Sequence, residues 1–130
     1  MDSQINPRYE DEFLLIEIID GIISCYTKKE IVITYEFAQY ALNKRIEVSA
    51  NQFYPIMNDI RNIKYITKEA MTLLNSEKGT SYLTAGAFII TSKVQEILGN
   101  FFIKYKNHAI PARVFTDKAK AMQWLGKYKV

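Results

Sequence analysis

Residues that usually carry chemistry are scarce in this chain. Its 130 residues include one cysteine, one histidine, five glycines and three prolines. A lone cysteine, Cys25, permits neither an internal disulfide nor a cysteine zinc cluster. It lies in the apolar run IISCYT, where it reads as a small buried hydrophobe in a reducing compartment. His108 sits between Asn107 and Ala109, with no His, Cys or acid at ligand spacing, and reads as an exposed loop histidine. Gly21, Gly79, Gly86, Gly99 and Gly126 are scattered, so a glycine-rich phosphate loop is excluded. Ser24, Ser49, Ser76 and Ser81 lack a nucleophile-elbow context. The longest apolar run, FLLIEIIDGII, is broken by Glu17 and Asp20 and is too short to span a bilayer. The opening MDSQINPRYEDE is polar and acidic, the opposite of a signal peptide's basic start. These absences predict a cytoplasmic protein that is not an enzyme, with no catalytic residue, metal, cofactor or membrane span.

What is present is a globular composition, 48% hydrophobic and 24% charged. The length fits one domain, here residues 13–130 behind a polar arm over residues 1–12. The net charge of +3 is uneven. Asp2, Glu10, Asp11, Glu12, Glu17 and Asp20 face Arg8 alone in the first twenty residues. Lys104, Lys106, Arg113, Lys118, Lys120, Lys127 and Lys129 face only Asp117 in residues 101–130. A basic tail can bind nucleic acid, but these lysines interleave with an apolar stripe, the pattern of a solvated helix face. No nucleic-acid partner is expected. The oppositely charged ends can also attract each other within one chain, or between two chains of a homodimer.

Hydrophobic patterning predicts the elements. Leu14–Ile19 and Ile22–Tyr26 flank Asp20-Gly21, a strong hairpin signal. Thr34 can cap a helix over roughly Tyr35–Arg45. Phe53–Asn58 reads as a central strand, with Pro55 near its start or at a bulge. A loop follows over Ile60–Ile66, and Thr67 caps a second helix through Ala70, Met71 and Leu74. Ala85–Thr91 is a buried strand. Ser92 then opens a helix with Val94, Ile97, Leu98, Phe101, Phe102 and Tyr105 at helical spacing. Ala112–Phe115 is a last strand, and Thr116 and Asp117 start a final helix. The fold class is therefore α/β: a mixed, mostly parallel sheet of about five strands with an N-terminal β-hairpin and four helices.

In such sheets, sites lie at the carboxyl ends of the parallel strands. Those ends carry Asn58 and Asp59, Thr91 and Ser92, and Thr116 and Asp117, which could line one cleft. Ser92 and Thr116 are also good helix caps, the simpler reading. Asp59 precedes a loop, so capping does not explain it, although an ion pair with Arg61 within the turn would.

This order of elements resembles the STAS domain, the SpoIIAA-like fold typified by bacterial anti-sigma-factor antagonists. The stretches YPIMNDIRNIKYITKEA, AFIITSKVQEILGNFFIKY and ARVFTDKAKAMQWL carry the likeness, which extends over about residues 13–128; more closely, the chain resembles small STAS-like proteins of Bacteroidetes. In the antagonists the loop after the central strand bears a serine phosphorylated by a partner kinase. Thr67 falls at or next to that position, but the neighbouring acidic residue and Ser-Gly are absent, so Thr67 is a switch or only a cap. The resemblance implies a non-enzymatic regulatory module that binds an unknown protein partner. Its interaction loop would comprise Asn58, Asp59, Arg61, Thr67 and Lys68. The alternative is a small-molecule or lipid-binding module of the same fold, with Phe101, Phe102 and Tyr105 walling an apolar cavity.

Overall fold

The hairpin forms where Asp20-Gly21 demands it. Both residues take positive φ, 52° and 76°, the conformation of a tight turn joining twisted strands. In the computed structural model, which describes residues 7–91 and 110–130, this turn joins β2 (Leu14–Ile19) to β3 (Ile22–Thr27) in antiparallel register. Asp20 also meets Lys129 of the basic tail at 3.8 Å, so the charged ends attract within one chain. A short β1 (Arg8–Glu10) pairs outside β2. It is clamped by Asp11, whose carboxylate accepts from the Tyr9 and Tyr40 hydroxyls and from the Phe13 and Leu14 amides.

The remaining strands of the main sheet are β5 (Tyr54–Asp59), β7 (Leu83–Ile89) and β8 (Ala112–Phe115), all parallel to β3 and each other. The order is β1-β2-β3-β5-β7-β8. Pro55 sits second in β5, where the register with β7 shifts between Tyr54 and Ile56, so the ladder avoids its missing N–H. Two further strands, β4 (Ile31–Ile33) and β6 (Ile63–Ile66), form a separate parallel ribbon.

Three α-helices are described. The first, α1 (Tyr35–Ser49), is capped by the Thr34 side chain and ends at Ala50 in left-handed backbone. The second, α2 (Lys68–Leu74), is capped by Thr67. The third, α3 (Lys118–Leu125), is capped by Asp117, which takes the role in place of Thr116, and a 3₁₀ turn over Gly126–Tyr128 follows. On one sheet face Met57, Ala87 and Ile89 pack on Ala121 and Leu125 of α3. On the other face Ile23, Ile56 and Leu83 pack against α1, and a third cluster joins α1, α2 and the ribbon.

The mixed α/β class is as expected, but the main sheet has six strands where about five were expected, and the described helices number three where four were expected. The extra strand is β1, whose RYE sequence carries no apolar signal. The stretch expected to be a loop after β5 contains β6. The helix expected from Ser92 through Tyr105, its Phe101, Phe102 and Tyr105, and His108 lie outside the described residues.

Candidate functional site

Strand alternation sorts the end of β5. Ile56 and Asn58 point to the α1 face, Met57 and Asp59 to the α3 face. Asp59 is only 2% exposed. Its carboxylate accepts two bonds from the Arg61 guanidinium, at 2.8 and 2.6 Å, and one from the Arg61 amide at 3.2 Å. Lys118, the first residue of α3, adds its ammonium at 3.5 Å. Burial pushes this carboxyl up, but the Arg61 hydrogen bonds and the two cations outweigh burial and hold it below the usual range. The same contacts raise Arg61. Asn62 donates to the Thr27 carbonyl at 2.9 Å, and Lys118 lies over the Tyr26 ring at 5.8 Å. Asp59 thus fastens the β5–β6 turn and the start of α3 to the sheet edge. Its acceptor sites are occupied, so it is a structural anion and not a free base.

The stretch after that turn is held by backbone bonds. Ile31 donates to Asn62, and Thr67 donates to Ile33. The Thr67 hydroxyl accepts from the Ala70 amide at 3.2 Å. Ile63 and Ile66 face inward on the ribbon, while the paired Val32 and Tyr65 face outward, 44% and 60% exposed. Tyr35, the first residue of α1, is also exposed, as are Lys64 and Lys68 on either side of Tyr65 in the chain.

Asp59, Ile89 and Phe115 lie level across β5, β7 and β8, so Thr91, Thr116 and Asp117 follow along the same edge. Asp117 is spent on capping α3. Ser92 lies outside the described residues. Among the described residues no group of three metal-ligating side chains occurs, and no helix is long and apolar enough to cross a membrane.

A cavity of about 150 Å³ lies between the sheet and α1 and α2. Its floor is Cys25, Ile56, Asn58, Gly86, Phe88 and Ala112. Asn58 and Asp59 touch its lining; Thr91, Thr116 and Asp117 do not. Two lining residues belong to no motif of the sequence. Arg45 is 4% exposed and donates to the carbonyls of Ser81 at 2.6 Å and Gly79 at 2.9 Å. Burial pushes its guanidinium down to about 10. Asn75 ends α2, and its buried amide nitrogen has no hydrogen-bond partner. The signal for Arg45 was available: Ala38, Ala41, Leu42 and Arg45 share one helical stripe, so a charge stands at a core position.

The family model of a domain of unknown function, DUF7793, matches residues 16–129. No curated protein sequence matches this chain. Among solved structures it is similar to an uncharacterized protein of the DUF3478 family from Shewanella loihica PV-4, described as having a SpoIIAA-like fold. The TM-score is 0.64 at 17% identity, over 96% of this chain and 98% of that one. At that identity the likeness concerns the fold, which is SpoIIAA-like.

Proposed function

Since the chain belongs to the DUF7793 family and has a SpoIIAA-like fold, we propose that it is a non-enzymatic regulatory module of the cytoplasm that binds another protein. The docking surface is the strip from Asp59 to Lys68 together with β4 and the start of α1. One observation carries this reading. Val32 and Tyr65 pair on the outer face of a two-stranded ribbon, and both side chains stand substantially in water. Exposed apolar strips with polar rims mark interaction sites. Asp59 and Arg61 hold the strip's entry, and Thr67 sets its exit into α2. The closeness to small STAS-like proteins of Bacteroidetes rests on the sequence stretches quoted above and belongs to this proposal.

Co-purification from native cells tests it. Wild-type bait should retain a partner in stoichiometric amount, and Tyr65→Lys, which alters only exposed surface, should lose it while the fold persists. Retention of the same partner by both baits removes this surface from the account. Recovery of bait alone as a dimer that Tyr65→Lys dissolves would make a second copy the partner.

The cavity favours a second reading, a small-molecule-binding module of the same fold. Its volume suits a ligand of about benzene's size.

A further inference from the structure

Buried charges in proteins are paired or coordinated, because an isolated ion inside an apolar medium is strongly unfavourable. Arg45 departs from that rule. Among the described residues no carboxylate lies within ion-pair distance of it, and only two of its N–H donors meet acceptors, both neutral backbone carbonyls. Cys25, on the facing strand, does not serve as counter-ion, since burial pushes its thiol up to about 11 and keeps it neutral. The Asp59 carboxylate points to the opposite sheet face and is neutralised by Arg61 and Lys118. Asn75 adds a buried amide nitrogen without an acceptor. Arg45 is tied to the turn that begins at Asn75, through Gly79 and Ser81, and Arg45 and Asn75 both line the cavity. The other described lining residues are largely hydrocarbon, including Leu42, Ile56, Leu83 and Phe88. A trapped water could accept from these donors but would leave the positive charge uncompensated.

We propose that this cavity binds a small apolar carboxylic acid in its ionised form, the carboxylate received by Arg45 and Asn75 and the hydrocarbon lying over Ile56 and Phe88. Guanidinium–carboxylate bonds are the strong, geometrically specific kind, and the cavity supplies the low-dielectric surroundings that strengthen them. This inference rests on the second reading above, that the cavity holds a small molecule.

The test is calorimetric titration of the full chain with hexanoate and, separately, with neutral 1-hexanol. Wild type should bind hexanoate about tenfold or more tightly than 1-hexanol. Arg45→Met should remove that preference while weak alcohol binding persists. Because Arg45 also braces the 79–81 turn, Asn75→Leu provides a second variant that leaves the brace intact, and it too should weaken hexanoate more than hexanol. Gly86→Val fills the floor, where an added Cβ would meet only Ile56 at 3.7 Å, and should abolish both. Equal binding of acid and alcohol in all three of wild type, Arg45→Met and Asn75→Leu would overturn the carboxylate assignment and leave a cavity that binds apolar molecules. Binding of neither probe by wild type would overturn the cavity reading and the assignment together.

Discussion

Asp59, at the end of β5, and Thr67, just after β6, do different work. Asp59 is a buried anion whose pKa is lowered in the fold. A carboxyl depressed in this way contributes stability above its ordinary pKa, near 3.9, and that contribution is lost as pH falls through the lower folded value. Urea unfolding of wild type and Asp59→Asn should therefore show wild type more stable at pH 7, with the gap closing only below about pH 4. A gap that does not change with pH would mean the carboxylate's charge is irrelevant. Thr67 accepts from the Ala70 amide, so Thr67→Ala should cost on the order of 1 kcal/mol as the loss of a cap. If the residue also switches the surface, Thr67→Glu should change partner binding with the fold intact. Equal stability loss in both variants with unchanged binding would leave the cap alone.

The hairpin and α3 offer the sharpest tests of the elements. Gly21 has φ of 76°, and an added Cβ would approach the Lys129 side chain to 2.9 Å, so Gly21→Ala should destabilise by about 1 kcal/mol or more. Leu125 is fully buried between α3 and the sheet, and Leu125→Ala should cost about 2–5 kcal/mol by chemical denaturation. A loss under about 0.5 kcal/mol would place that helix face wrongly. These elements were legible in the sequence because their signals are local: Asp-Gly between two β-rich runs, a side-chain cap before an apolar stripe, and a near-continuous apolar strand. The three-residue strands β1 and β4 were not, since RYE and IVI are too short to show a period. β6 is hidden for a related reason: IKYI exposes Lys64 and Tyr65, so its pattern reads as part of a loop. The site followed the same division. The sheet-edge position of Asp59 was readable from strand order and its pairing with Arg61 from sequence proximity. The place of Arg45 and Asn75 in one cavity depends on how α1 meets the turn after α2, a long-range arrangement that no local pattern encodes.

At the scale of the whole molecule, the positive charge of the basic tail is partly neutralised by contacts within the chain, such as Lys129 with Asp20 and Lys118 with Asp59. Trp124 packs with both Phe115 and Tyr128, so these rings are engaged with each other and do not stand free to stack bases. Anisotropy titration at physiological salt should show no DNA or RNA binding tighter than the non-specific range of about 10⁻⁴–10⁻⁶ M. Tight, steeply salt-dependent binding would instead make the basic tail the functional surface. The proposed recognition surface lies elsewhere, at the exposed strip of β4 and β6. Amine-specific cross-linking of the tagged protein in native cells, with the cross-linked peptides mapped, tests this most directly. Cross-links to one other protein should leave from Lys64 and Lys68, on either side of Tyr65 in the chain. Cross-links leaving only from Lys118, Lys120, Lys127 or Lys129 would contradict it.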